Sequence, residues 1–575
     1  MQYNKEKRKR SVKNMTYVII GGNTGGAGAA ARLRRLDEQA RIILLEKGGH
    51  VSYSNCSLPY RLSGTVDETE KLVLNTPEAL RASYNIETRT ASETVAIDRQ
   101  AKQVQVKDLA TGRVYAESYD KLILAPGANA VVPRIPGIEE ASLFTVKTVD
   151  DVARLHGFLQ QQSVRRVSVI GGGFIGIEVA VNLREAGYEV AVIEAMPQIL
   201  RTYDYDMVQI LHKEMLDHGV KLVLGDSVVA FHGSDVALKS GRTVPGDAVV
   251  MAVGVRPDTA LAVQAGLAAN QRGALLVDAN YQTSDPDIYA VGDAVEVFNA
   301  ITHKPMMLQL AGPAQKQARQ AADHICGRPV RNTGYIGSSC IKVFDYNAAS
   351  TGLTEAQCRQ EGLSYETVYI LPKDRVSLMP GSCPMHFKLI FEKPTGRVLG
   401  AQAISKGDAP KRVDVVATLI KFGGTVDDLR DLELCYAPPF STAKDPVNYA
   451  GLVACNLLDG AFRQVHVDQV RGLVESGACI IDVRPAAAYA QGHIKTAMNI
   501  PLAQLRSRLD EIPKDRPVYV HCQIGQSSYN AVMALQGCGF ENVYNIAGGF
   551  LGICCNEYFD DQTQHRQPIV TDYCF

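Results

Sequence analysis

Two stretches of the chain follow one plan. In TYVIIGGNTGGAGAAARLRRLDEQARIILLEK an apolar run enters a glycine turn, an Ala-rich amphipathic stretch follows, and a second apolar run ends in Glu46. The same order recurs in RRVSVIGGGFIGIEVAVNLREAGYEVAVIEA, ending in Glu194. Such an order is the pattern of a β-α-β unit. A glycine turn at the mouth of its helix presents unpaired N–H groups and positive dipole to a phosphate. Two units predict two dinucleotide-binding modules in one α/β chain.

The second turn is regular. Gly171, Gly173 and Gly176 give the tight turn, the close backbone approach to a diphosphate and the packing of helix on strand. Glu194 follows Gly171 by 23 residues, where a carboxylate accepts hydrogen bonds from a ribose 2′-OH and repels a 2′-phosphate. The next residues, AMPQIL, contain no Arg, so the expected cofactor is NADH rather than NADPH. In the first turn Gly21 and Gly26 keep the outer positions, with Gly22 and Gly25 beside them, but Asn23 replaces the middle glycine. Glu46 lies 25 residues after Gly21. The substitution predicts a slightly different backbone approach, not a lost site.

At 575 residues the chain is long enough for about four domains. A net charge of −1 gives no global field toward nucleic acid or membrane surfaces. The sequence contains no apolar run long enough to span a bilayer. Residues 1–14 form a basic tail without an apolar segment behind it, which argues against a secretory signal and reads as a frayed end. Thirteen cysteines, an odd number spread over a large chain, point to a reducing cytoplasm with a few working thiols. The segment 331–453 alternates strand-like runs with a helix-like one, and from 463 a short α/β domain begins. Beyond Phe550 no periodicity is visible. Cys554, Cys555 and Cys574 have no His ligand pattern beside them, so no metal is expected, and they read as incidental or oxidation-prone thiols.

Cys56, in SYSNCSLPYRLSG, is the thiol best placed for chemistry. Only a thiolate attacks a disulfide or persulfide sulfur. The loop holds no second Cys, so its partner comes from a substrate, from another segment, or from oxygen as a sulfenic acid.

The segments LILAPGA (122–128), TSDPDIYAVGDA (283–294), SxxNCxLPYxxxG (52–64), LAGPAQKQAR (310–319), GSSCIKVFDYNAASTGL (337–353) and YAPPFSTAKDPVNYAG (436–451) together resemble the single-cysteine branch of the flavoprotein disulfide reductases. That branch includes coenzyme A disulfide reductases, NADH oxidases and peroxidases, and NADH-dependent persulfide reductases. Where two-cysteine relatives carry the resolving Cys, this chain has Arg61. The resemblance implies FAD on the first unit, with Asp293 at the flavin, and NADH on the second. It implies that Ser52, Asn55 and Cys56 border coenzyme A, and that Tyr436 reaches the site from the partner subunit of a homodimer. Arg32 and Arg35 are candidates for the coenzyme A phosphates, against the plainer reading of a solvated helix face. The family's Tyr pair is replaced by Leu378 and Met379, which removes acid assistance to a leaving sulfur and counts against efficient reduction of coenzyme A disulfide itself.

IIDVRPAAAYAQGHIKTAMNIPL (480–502) followed by VYVHCQIGQSSYNAVMAL (518–535) resembles a rhodanese domain. Cys522 opens a six-residue loop, Cys522 to Ser527, whose N–H groups form an anion nest for a thiolate or persulfide. The loop carries no Arg, which favours small or neutral persulfide donors over thiosulfate. Asp482 and Arg484 read as structural. The expected division is an FAD-binding domain over 15–150 and 255–330, an NAD-binding domain over 151–254, an α+β dimerisation domain over 331–455, a rhodanese α/β domain over 463–553 and a tail over 554–575. The expected function is NADH-dependent reduction of coenzyme A persulfide, coenzyme A disulfide or related small thiol compounds, fused to a sulfurtransferase. Its rivals are an NADH oxidase or peroxidase, a redox-sensing module, and a bare sulfurtransferase with a vestigial flavin domain.

Overall fold

The computed structural model describes residues 14–161 and 163–575; the basic segment lies almost wholly outside them. The first glycine turn sits in a five-stranded parallel sheet ordered Ile288–Ala290, Lys121–Leu124, Thr16–Ile20, Arg41–Leu45, Glu87–Arg89. Its central strands are apolar on both faces because both are covered, as a parallel sheet requires. The chain leaves this sheet, builds a second one, and returns to it at Ile288, next to Asp293.

The second sheet is also parallel, ordered Lys221–Leu224, Glu189–Glu194, Arg166–Ile170, Ala248–Met251, Leu143–Phe144. The short strand Leu143–Phe144 thus joins it ahead of the boundary read at 150. The third unit is a five-stranded antiparallel sheet from Ser339–Val343 to Val398–Ser405, packed by the helices Ala409–Lys421 and Pro446–Leu458. The last is a parallel sheet ordered Arg463–Val465, Val543–Ile546, Val518–His521, Cys479–Asp482, Met498–Asn499.

One apolar core joins three of these units. It runs from Val169 and Val192 through Phe344 and Tyr369 to Phe550 and Ile553. The segment without visible periodicity turns out to be a helix, Gly549–Gln564, buried on nearly every side. A helix enclosed all round has no polar stripe to mark its period. Its C-terminal half meets the helix Tyr205–Asp217 of the second sheet, where Tyr205 Oη donates to Asp560 at 2.8 Å and the rings of Phe559 and His212 stand 4.7 Å apart. Among the described residues no helix is long and apolar enough to cross a membrane.

Candidate functional site

The two glycine turns are near copies in structure. Gly21 and Gly171 have φ of 98° and 110°, and a side chain at Gly26 or Gly176 would overlap the carbonyl oxygen of Gly21 or Gly171. Glu46 Oε2 accepts from Gly22 N at 2.7 Å and Oε1 from Gly48 N at 2.7 Å. Glu194 repeats this with Gly172 N at 2.7 Å and Met196 N at 2.9 Å. Both helices, Thr24–Leu36 with Gly25 in its first turn and Phe174–Glu185, start without a side-chain cap or an acid in the first turn. Their N–H groups therefore stay free for an anion. The second turn opens on a cavity of about 550 Å³ lined by Gly171, Gly173, Glu194 and Met196. These features fit a dinucleotide at each turn. Arg201, just past AMPQIL, also lines that cavity, so its wall carries a cation as well as a carboxylate.

Asn23, the departure in the first turn, has a use. Its amide hydrogen-bonds Asn55 Oδ1, tying the diphosphate turn to the residue before Cys56. Ser52, at φ 48°, donates its N–H to Gly22 O at 2.9 Å and accepts on Oγ from Asn75 at 3.1 Å. Cys56 itself lies exposed on the short 3₁₀ turn Asn55–Ser57. Around it stand Asp293, Lys147 and Glu178, with Lys147 Nζ 3.6 Å from Asp293. Although Cys56 reaches the surface, desolvation by the protein around its sulfur raises the thiol, the charges of Glu178 and Asp293 raise it further, and Lys147 opposes them.

Glu178 was missed in the sequence because it lies inside the apolar run FIGIEVAVNL. Burial lifts its carboxyl to about 7, so it changes charge near neutral pH beside the thiol. Cys340, on the strand Ser339–Val343 packed against the same helix, also lies in the field of Glu178. Glu178→Gln is expected to lower the Cys56 pKa and raise its thiolate fraction at neutral pH several-fold. Alkylation rate against pH checks this; an unchanged profile would show the two groups uncoupled.

Arg32 pairs with Asp323 on the helix Ala311–Ile325, its Nε at 2.9 Å. Arg35 shares that face but is exposed, with its guanidinium 5.6 Å from the Tyr84 ring centroid. Tyr436 is 50% exposed and hydrogen-bonds nothing among the described residues. Leu378 is 86% exposed and Met379 partly buried. The buried Arg412 holds the loops of these residues together, donating to Asp374 O at 2.9 Å and Phe440 O at 3.1 Å.

The second thiol site is compact. Cys522 follows the strand Val518–His521, and its Sγ accepts from Gly525 N at 3.2 Å and Ser528 Oγ at 3.5 Å. The following helix begins at Gln526, earlier than the six-residue loop read from sequence. Beneath it Arg484 grips Asp482 through Nε at 3.0 Å and Nη2 at 2.6 Å. Burial raises the Asp482 carboxyl, but the Arg484 bonds outweigh it and hold it below its ordinary value. Arg484 also donates to Gln523 Oε1 at 3.0 Å, so this pair fixes the loop as well as the core.

Paired glycine turns, each locked by its own glutamate, and a lone thiol beside the first turn decide the family; the family model described as pyridine nucleotide-disulphide oxidoreductase matches residues 15–318. The chain belongs to that family. The dimerisation domain of these oxidoreductases matches residues 338–446 and a rhodanese-like domain 466–554. A coenzyme A disulfide reductase of Staphylococcus epidermidis is 31% identical over 438 residues, covering 76% of this chain and 99% of its own length. The reduced Bacillus anthracis CoADR-RHD superposes with a TM-score of 0.92 at 42% identity, over 95% of this chain and 99% of that one. A NAD-dependent persulfide reductase from A. fulgidus gives 0.89 at 35% identity, over 93% and 99%. Both solved structures thus extend over the rhodanese-like region of this oxidoreductase.

Proposed function

We propose that the protein is a homodimeric, FAD-dependent NADH oxidoreductase that reduces coenzyme A persulfide, and less readily coenzyme A disulfide, through Cys56, while Cys522 carries sulfane sulfur. The observation that carries this reading is the coexistence in one chain of a lone thiol beside a dinucleotide turn and a second thiol whose sulfur accepts from the Gly525 N–H and the Ser528 hydroxyl. FAD would lie on the first turn, with Glu46 at its ribose and Asp293 toward its ribityl chain, and when bound it relays an electron pair from NADH to sulfur. NADH would lie in the cavity of the second turn, with Glu194 at its ribose. The reading suits a reducing, cytoplasmic setting.

Cys56 thiolate attacks the inner sulfur of the persulfide, forming a mixed disulfide with coenzyme A and releasing HS⁻. Two electrons from NADH then break that bond and return Cys56 and free coenzyme A. The sum is RS-SH + NADH + H⁺ → RSH + H₂S + NAD⁺. Asn55 and Ser52 border the thiol end of the substrate. Arg35 lies about 16 Å along the helix from Thr24, at 1.5 Å per residue, so the long pantetheine arm would run along that helix to phosphates at Arg32 and Arg35. The exposed Tyr436, on a loop shared with the exposed Phe440, is assigned to the active site of the partner subunit.

Anaerobic NADH consumption by the flavin-loaded protein tests the reading. Turnover is expected to be fastest with coenzyme A persulfide, slower with coenzyme A disulfide and slowest with hydrogen peroxide; a preference for peroxide would refute it. NADH is expected to be favoured over NADPH, and Glu194→Ala to lower kcat/KM for NADH about tenfold or more, for loss of a charge-assisted bond worth roughly 1.5–3 kcal/mol. Cys522→Ser is expected to abolish sulfur transfer from a persulfide donor while leaving reduction of added coenzyme A persulfide unchanged.

A further inference from the structure

The Cys522 loop is held from outside its own domain. Two consecutive residues, Gly548 and Gly549, adopt φ of 78° and 58°, a turn that glycines make without strain, and open the helix Gly549–Gln564. On one side Phe550 N donates to Cys522 O at 2.8 Å and Leu551 N to Gln523 O at 3.0 Å. A Cβ at Gly549 would stand 2.8 Å from Cys522 O and 2.7 Å from Ile524 N, so turn and loop are in backbone contact. On the other side the turn meets Tyr369. A Cβ at Gly548 would stand 2.6 Å from Tyr369 Cε1, and one at Gly552, further along the helix, 3.1 Å from the same atom.

Tyr369 belongs to the third unit, on the edge strand Tyr365–Ile370 of its antiparallel sheet. The same edge is fastened to the rhodanese-like region by Gln464 Nε2, which donates to Thr367 O at 2.7 Å. The Tyr369 ring is buried, and its Oη lies 2.6 Å from Nδ1 of the buried His386 on the neighbouring strand Met385–Glu392. Burial pushes His386 down to about 3 and the Tyr369 phenol up, so both rings stay neutral near pH 7. A close-packed ring bonded at its hydroxyl has little room to move. The glycine turn thus links this ring to the Cys522 loop.

We propose that Tyr369 is a positioning residue for sulfur transfer: its ring seats the Gly548–Gly549 turn and through it holds the Cys522 loop with the Gly525 N–H and the Ser528 hydroxyl facing the sulfur. The sulfurtransferase site is therefore completed by a residue of the dimerisation unit. In the step it serves, the Cys522 thiolate attacks the outer sulfur of a persulfide RS–SH. The Sγ–S bond forms, the RS–S bond breaks, and RS⁻ leaves to take a proton from solvent. The sulfane sulfur keeps its own hydrogen and changes carrier without net oxidation. Gly525 N and Ser528 Oγ, 3.2 and 3.5 Å from Sγ, stabilise the attacking thiolate only while the loop keeps this form. The inference rests on the reading of Cys522 as the sulfur carrier and adds the residue that aligns it.

The test uses the full-length flavoprotein and two readouts. One is the rate at which a small alkyl persulfide makes the Cys522 peptide one sulfur heavier by mass spectrometry. The other is the alkylation rate of Cys522 against pH, with Cys56 in the same samples as internal standard. Tyr369→Leu, which removes the ring, is expected to slow loading about tenfold and to displace the Cys522 alkylation profile to higher pH, while the Cys56 profile stays in place. Tyr369→Phe, which keeps the ring, is expected to load within about twofold of the parent chain. Should Tyr369→Leu not fold, Gly552→Ala sets a methyl against the same ring atom and is expected to slow loading about threefold. Asp482, Arg484 and His521, the charged and titratable groups beneath the loop, are kept in every variant. Unchanged loading and profile in Tyr369→Leu or its substitute, equal losses in the Leu and Phe variants, or a Cys56 profile displaced as far as that of Cys522 would each overturn the proposal. A parent chain that alkylates at Cys522 yet takes up no sulfur would refute the reading of Cys522 as carrier, and the alkylation profiles would still decide the role of Tyr369.

Discussion

Cys56→Ser is expected to lower NADH-driven turnover of coenzyme A persulfide by at least about a thousandfold, the scale on which loss of a nucleophile acts. A hydroxyl on the same turn is isosteric enough to keep the Asn23–Asn55 tie and the carbonyl bonds of Ser52 and Ser54. NADH should therefore still bleach the flavin in the variant, because the second turn and its cavity are untouched. Only the step from the flavin to sulfur should fail. No second Cys shares the Cys56 loop; Arg61, five residues on, donates to Thr69 Oγ1 at 3.2 Å. A variant that kept turnover would move the chemistry to another thiol, with Cys340 the first to examine.

Lys388→Met is expected to cost about 3–5 kcal/mol of stability, as removal of one partner from a buried ion cluster does. Lys388 is 2% exposed, and its Nζ lies 2.8 Å from Asp206, 2.5 Å from Glu355 and 3.4 Å from Asp204. The three carboxylates have oxygens within 4.8 Å of one another, and Lys388 fills the place a cation would take. They come from the start of the Tyr205–Asp217 helix and from the third unit, so the cluster fastens one domain to the other. Burial already raises the Asp204 carboxyl against the charge of Lys388, and Lys388 helps to hold Glu355 low; without the ammonium both shift upward toward the protonated form. A raised acid group loses stability as pH climbs from its unfolded toward its folded pKa, so the variant should regain part of its loss near pH 5. Thermal or denaturant unfolding at two pH values checks both statements.

The sequence marked the parts of this molecule that repeat a local pattern. Both glycine turns, their glutamates and the Cys522 loop are contiguous or nearly so, and each had a local physical reason visible in its residues. The role of Asn23 was not visible, because its partner Asn55 is distant along the chain and the pattern showed only a missing glycine. Glu178 was hidden within an apolar helix, where a carboxylate declares itself only once burial and Cys56 are seen together. The last helix escaped for a related reason. Its Glu557 and Asp561 are buried against Arg471 and Arg566, so polar residues point inward and erase the amphipathic period.

The most direct test of the whole account is a single turnover. NADH-reduced, flavin-loaded protein is mixed anaerobically with coenzyme A persulfide while flavin absorbance and sulfide are followed, in the parent chain and in Cys522→Ser. The account predicts that flavin is reoxidised and sulfide appears in equal amount to the NADH spent, alike in both proteins. Flavin that stays reduced with persulfide present, yet is reoxidised on adding peroxide, would contradict it.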